Sequence, residues 1–478
     1  MTLPSSGPLS LSDIQTEFGG SNPIGLNEYY AGGGLVPSGT TGTYGAVPTS
    51  GQISIQNFYG TSNVLGASAN FASHIGYETP AGVLVRNSSS STYYYCDYGN
   101  RFTGLTVSAS SDAILNNADP SNAYYKKNII RTSPSQHVIH YTPYPMAFDN
   151  NGYIVFSGYH ENGNGGTPYQ GYMRISANTT TVSVNTANYF PETSGSYQST
   201  PPVVDSSGNV YCGVQISASN TYMAVCKITS GNAFSWASGI DIGNSFNRRT
   251  APAIDSSGNI IVASNSGYIA KYNSAGTLQW QKQFSGFNPG YNIATDSSGN
   301  IYLSGTNGNT SLTTVKLDSS GAVQWSRVYS NAANFFTSST AVAVDSSGNV
   351  YSVCTDNYTS NYRMYLLKYN SSGSLQWQRY WTHNAGNGGY TTFAFINGPY
   401  LQINHAPSSG GSVTRAYGTS GAYTSAPFGV PSFSDAAAGV TIATSSQATS
   451  TFSLSLTSFN NSITVGDIST PTWYNLGY

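Results

Sequence analysis

The feature that most constrains this chain is a five-residue motif, Asp-Ser-Ser-Gly-Asn, which returns along the sequence and is followed each time by two apolar residues. Four copies are identical and the first is looser: Asp149–Tyr153, Asp205–Asn209, Asp255–Asn259, Asp296–Asn300 and Asp345–Asn349. Successive copies begin 56, 50, 41 and 49 residues apart. Periods in this range indicate a repeat architecture, in which each unit is one small element of supersecondary structure.

Each copy of the motif stands between two strand-like runs, and this arrangement predicts a β-hairpin. The Asp carboxylate can accept hydrogen bonds from backbone N–H groups two or three residues further on, and Gly supplies a positive φ. We therefore assign structural turns to Asp149, Asp205, Asp255, Asp296 and Asp345. The alternative is a calcium loop, which the single carboxylate of each copy disfavours because such loops need several.

A second repeated feature is a Trp near the end of each unit. Residues 250–285 predict four short strands joined by tight turns, and residues 292–329 and 340–381 repeat the pattern. Trp280, Trp325 and Trp377 follow a Gly-x-x-x spacing, and Trp236 is their counterpart in the unit at 200–243. These features resemble quinoprotein-type and bacterial β-propeller repeats over residues 143–385. The resemblance implies a propeller whose indoles pack between blades, without quinone chemistry.

The predicted fold is all-β, a β-propeller of about seven four-stranded blades, with six to eight possible. Units begin near 143, 200, 250, 292, 340 and 391, and the terminal segments can share a seventh, which would close the ring. The predicted organisation is residues 1–61 as an N-terminal docking module, 62–135 as linking strands or a first blade, 136–430 as propeller repeats, and 431–478 as C-terminal strands closing the propeller.

The first 61 residues differ from the rest and contain three copies of a six-residue pattern. The copies are Leu9–Ile14, Ile24–Tyr29 and Ile53–Phe58. Each reads apolar, small, apolar, polar, acidic or amide, large apolar, so its first three positions alternate like a short strand. The Ser12-Asp13 and Asn27-Glu28 steps look like helix starts. A segment this small buries little surface alone, so we expect it to need a partner.

These three copies resemble the N-terminal module of structural proteins from tailed bacteriophages, especially marine and cyanobacterial ones. The resemblance covers about 60 residues. It implies a virion protein, made in the host cytoplasm and anchored to the particle by its N-terminus. The residues to which it assigns virion docking are the apolar positions Leu9, Leu11, Ile14, Ile24, Leu26, Tyr29, Ile53, Ile55 and Phe58.

Composition excludes several classes of partner. Of 478 residues only 8% are charged, and 17 Lys and Arg against 19 acidic residues leave no basic patch for nucleic acid. No apolar run is long enough for a membrane span, and the N-terminus lacks the features of a signal peptide. Four cysteines are too few for a disulfide framework. Cys212 and Cys226 can face each other on neighbouring strands, or serve as small buried hydrophobic residues.

The sequence does not favour an enzyme, and no cofactor or metal is expected. Six acidic residues, including Asp318, are assigned to turns. Glu161 and Glu192 can converge as a glycosidase pair, so a polysaccharide depolymerase stays an alternative. His137 and His140 have a strand spacing that separates their rings, which disfavours a metal pair.

Recognition is the favoured function, because the longest predicted loops mix aromatic rings with amides and hydroxyls, groups that stack on sugars and hydrogen-bond to them. The candidate receptor contacts are Tyr159, His160, Tyr169, Tyr189, Tyr197, Trp381, His383 and Tyr390. The alternative is that these loops are solvated or touch neighbouring virion subunits.

We therefore expect a phage virion appendage, similar to a tail fibre, that presents its propeller for host attachment. Its expected partners are other virion proteins (tail, portal-adaptor or capsid), a host surface glycan or outer-membrane protein, and copies of itself as a homo-oligomer. A purely structural or decorating subunit is the alternative.

Overall fold

The structure is a computed structural model. It describes residues 3–61 except 21, 24, 32–34 and 37–39, the segments 202–217, 221–242, 252–264, 266–306, 311–330, 335–356 and 362–383, and elsewhere essentially the strands given below. This part of the chain is mostly β-strand and forms several four-stranded antiparallel sheets, so the all-β prediction is confirmed. None of its helices is long and apolar enough to cross a membrane.

The N-terminal module, residues 3–61, is closed on itself. Its elements in chain order are α1 (Leu11–Phe18), a 3-10 turn (Leu26–Glu28), β1 (Thr41–Gly42), β2 (Gly45–Ala46) and a second 3-10 turn (Ile55–Phe58). The Leu3 N–H donates to the Thr61 carbonyl at 2.8 Å, and the Gly60 N–H donates to the Pro4 carbonyl at 3.0 Å. The first and last described residues of the module therefore pair with each other.

Seven antiparallel sheets of three or more strands follow one another along the described chain, and we number them 1 to 7. After β3 (Ala72–Ser73), sheet 1 contains β4 (Val83–Arg86), β5 (Thr92–Cys96), β6 (Arg101–Thr106) and β7 (Ala123–Arg131). Sheet 2 contains β9 (Met146–Phe148), β10 (Tyr153–Glu161), β11 (Pro168–Ala177) and β12 (Val182–Phe190), with β8 (His137–Val138) beside the end of β10.

Sheets 3 to 7 repeat the same order. Sheet 3 contains β13 (Val203–Val204), β14 (Val210–Ser217), β15 (Thr221–Ile228) and β16 (Phe234–Asp241). Sheet 4 contains β17 (Ala253–Ile254), β18 (Ile260–Ala263), β19 (Tyr268–Tyr272) and β20 (Leu278–Ser285). Sheet 5 contains β21 (Asn288–Thr295), β22 (Ile301–Thr306), β23 (Ser311–Leu317) and β24 (Val323–Ser330). Sheet 6 contains β25 (Phe335–Val344), β26 (Val350–Asp356), β27 (Tyr362–Tyr369) and β28 (Leu375–His383). Sheet 7 contains β29 (Tyr390–Asn397), β30 (Tyr400–Ala406) and β31 (Val413–Gly418).

The remaining strands lie on the outer edges of earlier sheets, and we call β32 to β36 the C-terminal edge strands. They are β32 (Ser434–Ala437), β33 (Thr441–Thr444), β34 (Thr449–Phe452), β35 (Thr457–Ser458) and β36 (Ile463–Asp467), followed by β37 (Trp473–Tyr474). β32 pairs with β24, β33 with β20, β34 with β16, β35 with β12 and β36 with β7. The chain thus adds an outermost strand to sheets 5, 4, 3, 2 and 1, in the reverse of their order in the sequence.

Residues 62–135 and the C-terminal segment share sheet 1 through β36, while the other C-terminal edge strands join sheets 2 to 5. Sheet 1 has four strands of its own and takes only β36 from the C-terminus, while β37 pairs with β3. The physical reason is the row of unpaired backbone groups on the outer edge of each sheet, which an added strand satisfies. The outer edges of sheets 1 to 5 each receive one strand from the C-terminal segment.

Successive sheets from 2 to 6 pack face to face and share hydrophobic clusters. In β22, Ile301 and Leu303 pack toward sheet 4, whereas Tyr302 packs toward sheet 6. All six residues of this strand are buried. A middle sheet is covered on both faces, so its central strands do not alternate between apolar and polar residues.

Side-chain hydrogen bonds link the first strands of neighbouring sheets. The Asn292 amide donates to the Val342 carbonyl at 2.6 Å and accepts from the Val342 N–H at 2.9 Å. The Thr295 hydroxyl donates to the Ile254 carbonyl at 2.8 Å. Strands β17, β21 and β25 therefore lie side by side.

Candidate functional site

Each copy of the N-terminal pattern begins a helical turn, so the prediction of a strand at its first three positions is wrong. The small residue is the N-cap, and the acidic or amide side chain three residues later returns to accept its backbone N–H. The backbone N of the N-cap lies within hydrogen-bond distance of this side-chain oxygen in every copy. The distances are 2.8 Å from Ser10 to Asp13, 3.0 Å from Gly25 to Glu28 and 2.8 Å from Ser54 to Asn57. This capping box satisfies donors that a helix start otherwise leaves free.

The sixth position of every copy lies in the core of the module. Ile14, Tyr29 and Phe58 are each 0% exposed. The Phe58 ring meets the rings of Phe18 and Tyr29 edge to face, with centroids 6.0 Å apart in both pairs.

Of the residues predicted to dock the virion, the structure therefore buries three inside the module. Leu9, Leu11, Leu26, Ile53 and Ile55 are partly buried against the same core. Ile24 lies outside the described residues. The pattern thus builds the interior of the module, because its apolar positions converge on one another. Among the described residues, the large hydrophobic side chain that is exposed is Tyr44, at 55%.

The Asp turns have one geometry in sheets 3 to 6. In sheet 3, Asp205 Oδ1 accepts the backbone N–H groups of Ser207 and Asn209, each at 2.9 Å, and Oδ2 accepts the Asn209 side chain at 2.8 Å. Gly208 has φ 77°. The carboxylate therefore organises its own hairpin, although its partners lie two and four residues on. Asp255, Asp296 and Asp345 repeat these contacts, whereas Asp149 lies outside the described residues.

In three of these sheets a Tyr, two residues after the Asn that ends the motif, donates a further hydrogen bond to the Asp carboxylate. The hydroxyl donates to the Asp Oδ2 at 3.0 Å from Tyr211, 2.8 Å from Tyr302 and 3.0 Å from Tyr351. Sheet 4 has Ile261 at this position, and there Lys271 forms an ion pair with Asp255 at 2.7 Å. Each carboxylate is thereby satisfied by the chain itself, which leaves little capacity for a calcium ion.

These contacts shift the pKa of the groups involved. Burial raises the pKa of the Asp205 carboxyl, but hydrogen bonds from Asn209, Tyr211 and Ser207 outweigh it, and the net pKa is below its ordinary value. The same balance lowers the pKa of Asp296. Burial and the Asp205 charge raise the pKa of Tyr211, so its hydroxyl keeps the donated proton.

In sheets 3 to 6 a Lys on the third strand, which was not predicted from the sequence, stands opposite the Tyr position. Lys227, Lys316 and Lys368 lie over the rings of their partners, with Nζ 5.3 to 5.5 Å from the ring centroid. The sequence does contain a signal, since a Lys stands two residues before each turn that joins the third and fourth strands: Lys227, Lys271, Lys316 and Lys368. These cation–π contacts help to hold the second and third strands together.

The Trp residues join one sheet to the next. The indole N–H donates to a carbonyl in the third-to-fourth-strand turn of the following sheet, at 3.1 Å from Trp236 to Ser274, 3.2 Å from Trp280 to Ser319 and 3.1 Å from Trp325 to Ser371. The Lys of the same sheet donates to the same carbonyl in each case. Trp377 contacts Tyr351 within its own sheet, with ring centroids 6.3 Å apart.

A one-residue register shift precedes each of these Trp residues. In sheet 4 Lys271 pairs with Trp280 and Tyr272 with Leu278, so Gln279 is the extra residue. The shift recurs in sheets 3, 5 and 6. A bulge of this kind re-aims the side chain that follows it.

The indole also explains the Gly of the Gly-x-x-x-Trp spacing. A Cβ added to Gly276 would lie 2.6 Å from Trp236, and one added to Gly373 would lie 2.7 Å from Trp325. The equivalent residue in sheet 3 is Asn232, at φ 66°. In sheet 2, which precedes it, the position of the Trp is occupied by Thr186, opposite Arg174. Gly is therefore found where the preceding sheet presents an indole.

The predicted receptor contacts were expected in loops, but most of them lie in strands. Tyr159 and His160 are on β10, Tyr169 on β11, Tyr189 on β12, Trp381 and His383 on β28, and Tyr390 on β29, while Tyr197 lies outside the described residues. The loop prediction is wrong for those seven, because the strand pairing continues to the ends of these elements.

The strand register nevertheless gathers several of these positions at one end of sheet 2. His160 stands opposite Tyr169, and Tyr189 stands opposite Gly171. In sheet 2 these positions lie at the end away from the point where β9 leads into β10, which corresponds to the end opposite the Asp turns of sheets 3 to 6.

The structure tests neither the possible glycosidase pair Glu161 and Glu192 nor the spacing of His137 and His140, because one member of each pair lies outside the described residues. Glu161 stands opposite His137, whereas Glu192 and His140 lie outside the described residues. Within the described ranges, no group of three or more His, Cys, Asp or Glu residues could hold a metal ion.

Comparison with protein-family models and with curated proteins finds no match to this chain.

Proposed function

We propose that this chain is a virion appendage protein of a tailed bacteriophage, whose N-terminal module attaches it to the particle. The observation that carries the proposal is the threefold capping-box pattern, which resembles the phage module and builds a separate closed core. Residues 1–61 include Asp13, Glu17 and Glu28 but no Lys or Arg. The surface of the particle that receives the module is accordingly neutral or basic.

The seven sheets are the blades of a β-propeller in this proposal. Support comes from the serial face-to-face packing, from the neighbouring first strands, and from the Trp residues that each reach the following sheet. The contact that closes the ring, between sheets 7 and 1, is part of the proposal. A propeller removes the uncovered faces that an open stack of sheets would leave at its two ends.

Host recognition is assigned to the end of the sheets opposite the Asp turns. The Asp turns are short and internally satisfied, and their Asp residues are committed to backbone contacts. At the other end of sheet 2 the register collects His160, Tyr169 and Tyr189. Aromatic and amide groups of this kind suit a surface glycan or an outer-membrane protein.

Two core substitutions separate attachment from recognition. Phe58→Ala opens the core of the module, and Phe284→Ala opens the core between sheets 4 and 5, where Phe284 is 5% exposed. Each removes a buried phenyl ring, at a cost of about 3–5 kcal/mol to its own unit. The measurements are the protein content of purified particles by mass spectrometry and the binding of the purified full-length protein to host cells.

We expect Phe58→Ala to be lost from particles while cell binding is kept. Phe284→Ala should weaken cell binding and still enter particles. Full incorporation of Phe58→Ala would refute the attachment role. If the unsubstituted protein enters particles but binds no host cell, the chain is a decorating or structural subunit. Clearing of capsule around it would show a depolymerase.

A further inference from the structure

Two cysteines stand directly opposite each other in the middle of sheet 3. Cys212 on β14 pairs in register with Cys226 on β15. They are 2% and 0% exposed, and both are free thiols. Both belong to the hydrophobic cluster between sheets 2 and 3. Cys354 is also buried, and in its ladder it stands opposite Thr340 and Tyr365.

The antiparallel ladder brings such a pair within reach of a covalent bond. Directly opposite residues have Cα atoms about 4.5–5.5 Å apart, inside the range of about 4.4–6.8 Å found for disulfides. Their Cβ atoms are about 4.5–5.5 Å apart, slightly more than the roughly 3.5–4.5 Å that a disulfide prefers. A bond here therefore closes with a small movement of the two strands and keeps some strain, which makes it easier to reduce.

We propose that Cys212 and Cys226 form a redox-active pair, which closes to a cross-strand disulfide when the protein meets a hydroperoxide and reopens with thiol reductants. The proposal rests on the strand register alone and does not depend on the function proposed above.

The chemistry proceeds in two steps. One sulfur attacks the hydroperoxide, the O–O bond breaks, and a sulfenic acid and an alcohol form. The second sulfur then attacks the sulfenic sulfur, the S–S bond forms and water leaves. Overall the two thiols lose two electrons and two protons, and the hydroperoxide takes them up.

Burial makes this reaction slow in the closed protein. The thiolate is the nucleophile, and the contact with Cys226 together with burial raises the pKa of the Cys212 thiol. The pair reacts when the junction between sheets 2 and 3 opens and admits the oxidant and water. Mild denaturant should therefore accelerate closure.

The test uses the full chain with tert-butyl hydroperoxide as the probe, followed by unfolding, alkylation and mass spectrometry. Before oxidation all four cysteines take an alkyl group. After oxidation we expect two alkyl groups, a protein two hydrogen atoms lighter, and a cross-linked peptide pair that contains Cys212 and Cys226. Dithiothreitol should restore four. Cys354→Ser is the matched control, since it removes a buried cysteine and should leave the cross-link unchanged.

The proposal is overturned if all cysteines remain alkylated, if oxidation stops at a sulfinic acid on one sulfur, or if the cross-link joins other cysteines. These readouts come from the unsubstituted chain, so they do not require a Cys212 variant to fold. Where Cys226→Ser does fold, it should show no cross-link and no rise in melting temperature on oxidation.

Discussion

The indole N–H of Trp280 donates a hydrogen bond to the carbonyl of Ser319, 3.2 Å away in the turn of the following sheet. The Lys271 ammonium donates to the same carbonyl at 3.1 Å and also forms an ion pair with Asp255. One carbonyl thus receives two donors from the preceding sheet. The same arrangement at Ser274 and Ser371 makes each junction a copy of the next.

The close approach of indole and Gly predicts a difference between two Gly substitutions. Gly276 and Gly258 both have positive φ, 84° and 77°, so Ala at either position costs about 1–2 kcal/mol of conformational strain. Gly276→Ala should cost about 1–3 kcal/mol more, because its Cβ would overlap Trp236, whereas nothing lies near Gly258. Urea unfolding measures both. Equal losses would argue against the indole as the reason for this Gly.

The ion pair of sheet 4 predicts that its Lys matters more than the equivalent Lys elsewhere. The Lys271 and Asp255 side chains are 7% and 2% exposed, so Lys271→Met leaves a buried carboxylate without its cation and should cost about 3–5 kcal/mol. Lys316→Met is the control and should cost less stability, because the Tyr302 hydroxyl still donates a hydrogen bond to Asp296. Thermal unfolding compares them.

A compensating change tests the same interpretation. Ile261 occupies the position that Tyr holds in sheets 3, 5 and 6. Adding Ile261→Tyr to Lys271→Met should recover part of the loss, since the new hydroxyl can reach Asp255. No recovery in the double variant would mean that the carboxylate does not need a donor from this position.

The Asp turns predict a loss of stability in acid. Asp205, Asp255, Asp296 and Asp318 have folded-state pKa values below the ordinary value, mainly because hydrogen bonds and, for Asp255, Lys271 outweigh burial. Groups with lowered pKa stabilise the fold above the unfolded-state pKa of about 3.9, and this contribution is lost as pH falls through the folded-state pKa. The melting temperature should therefore stay level from pH 7 to 5 and fall below about pH 4.

A matched substitution isolates this effect. Asn273 already organises a turn of the same kind between β19 and β20, where its Oδ1 accepts the N–H groups of Ala275 and Thr277. Asp205→Asn should therefore keep the turn, lower stability at pH 7 and reduce the slope below pH 4. An unchanged slope would assign the acid sensitivity to other groups.

The C-terminal edge strands predict a change in hydrogen exchange at distant positions. Ending the chain after residue 448 removes β34, which pairs with Ala237–Ile240 of β16. Exchange in β16 should become faster, because its outer N–H groups lose their acceptors. β20 is the internal control, since its partner β33 remains in the shortened chain. Unchanged exchange in β16 would contradict the pairing.

Much of the repeat follows from local sequence. Asp, Gly and Asn at fixed spacing set the hairpin, since a carboxylate that accepts nearby N–H groups and a residue with positive φ act within five positions. The four strands predicted for residues 250–285 correspond to β17, β18, β19 and β20. The capping boxes of the module were not predicted, because helix starts were placed at Ser12 and Asn27, although Ser or Gly followed three residues later by Asp, Glu or Asn is a local signal.

Tertiary structure decided which surfaces these elements use. Nothing in a strand of two to five residues states which outer edge it will join, because the outer edge of every sheet offers the same backbone groups. The position of Trp280 in its sheet was predicted from the sequence. Its hydrogen-bond acceptor, the Ser319 carbonyl, was not, since the choice of acceptor depends on how two sheets stack. From the sequence, Ile14, Tyr29 and Phe58 were assigned to virion docking because they are the large apolar residues of the pattern. Only the fold showed that they are buried against one another, because their rings and side chains converge once the ends of the module meet.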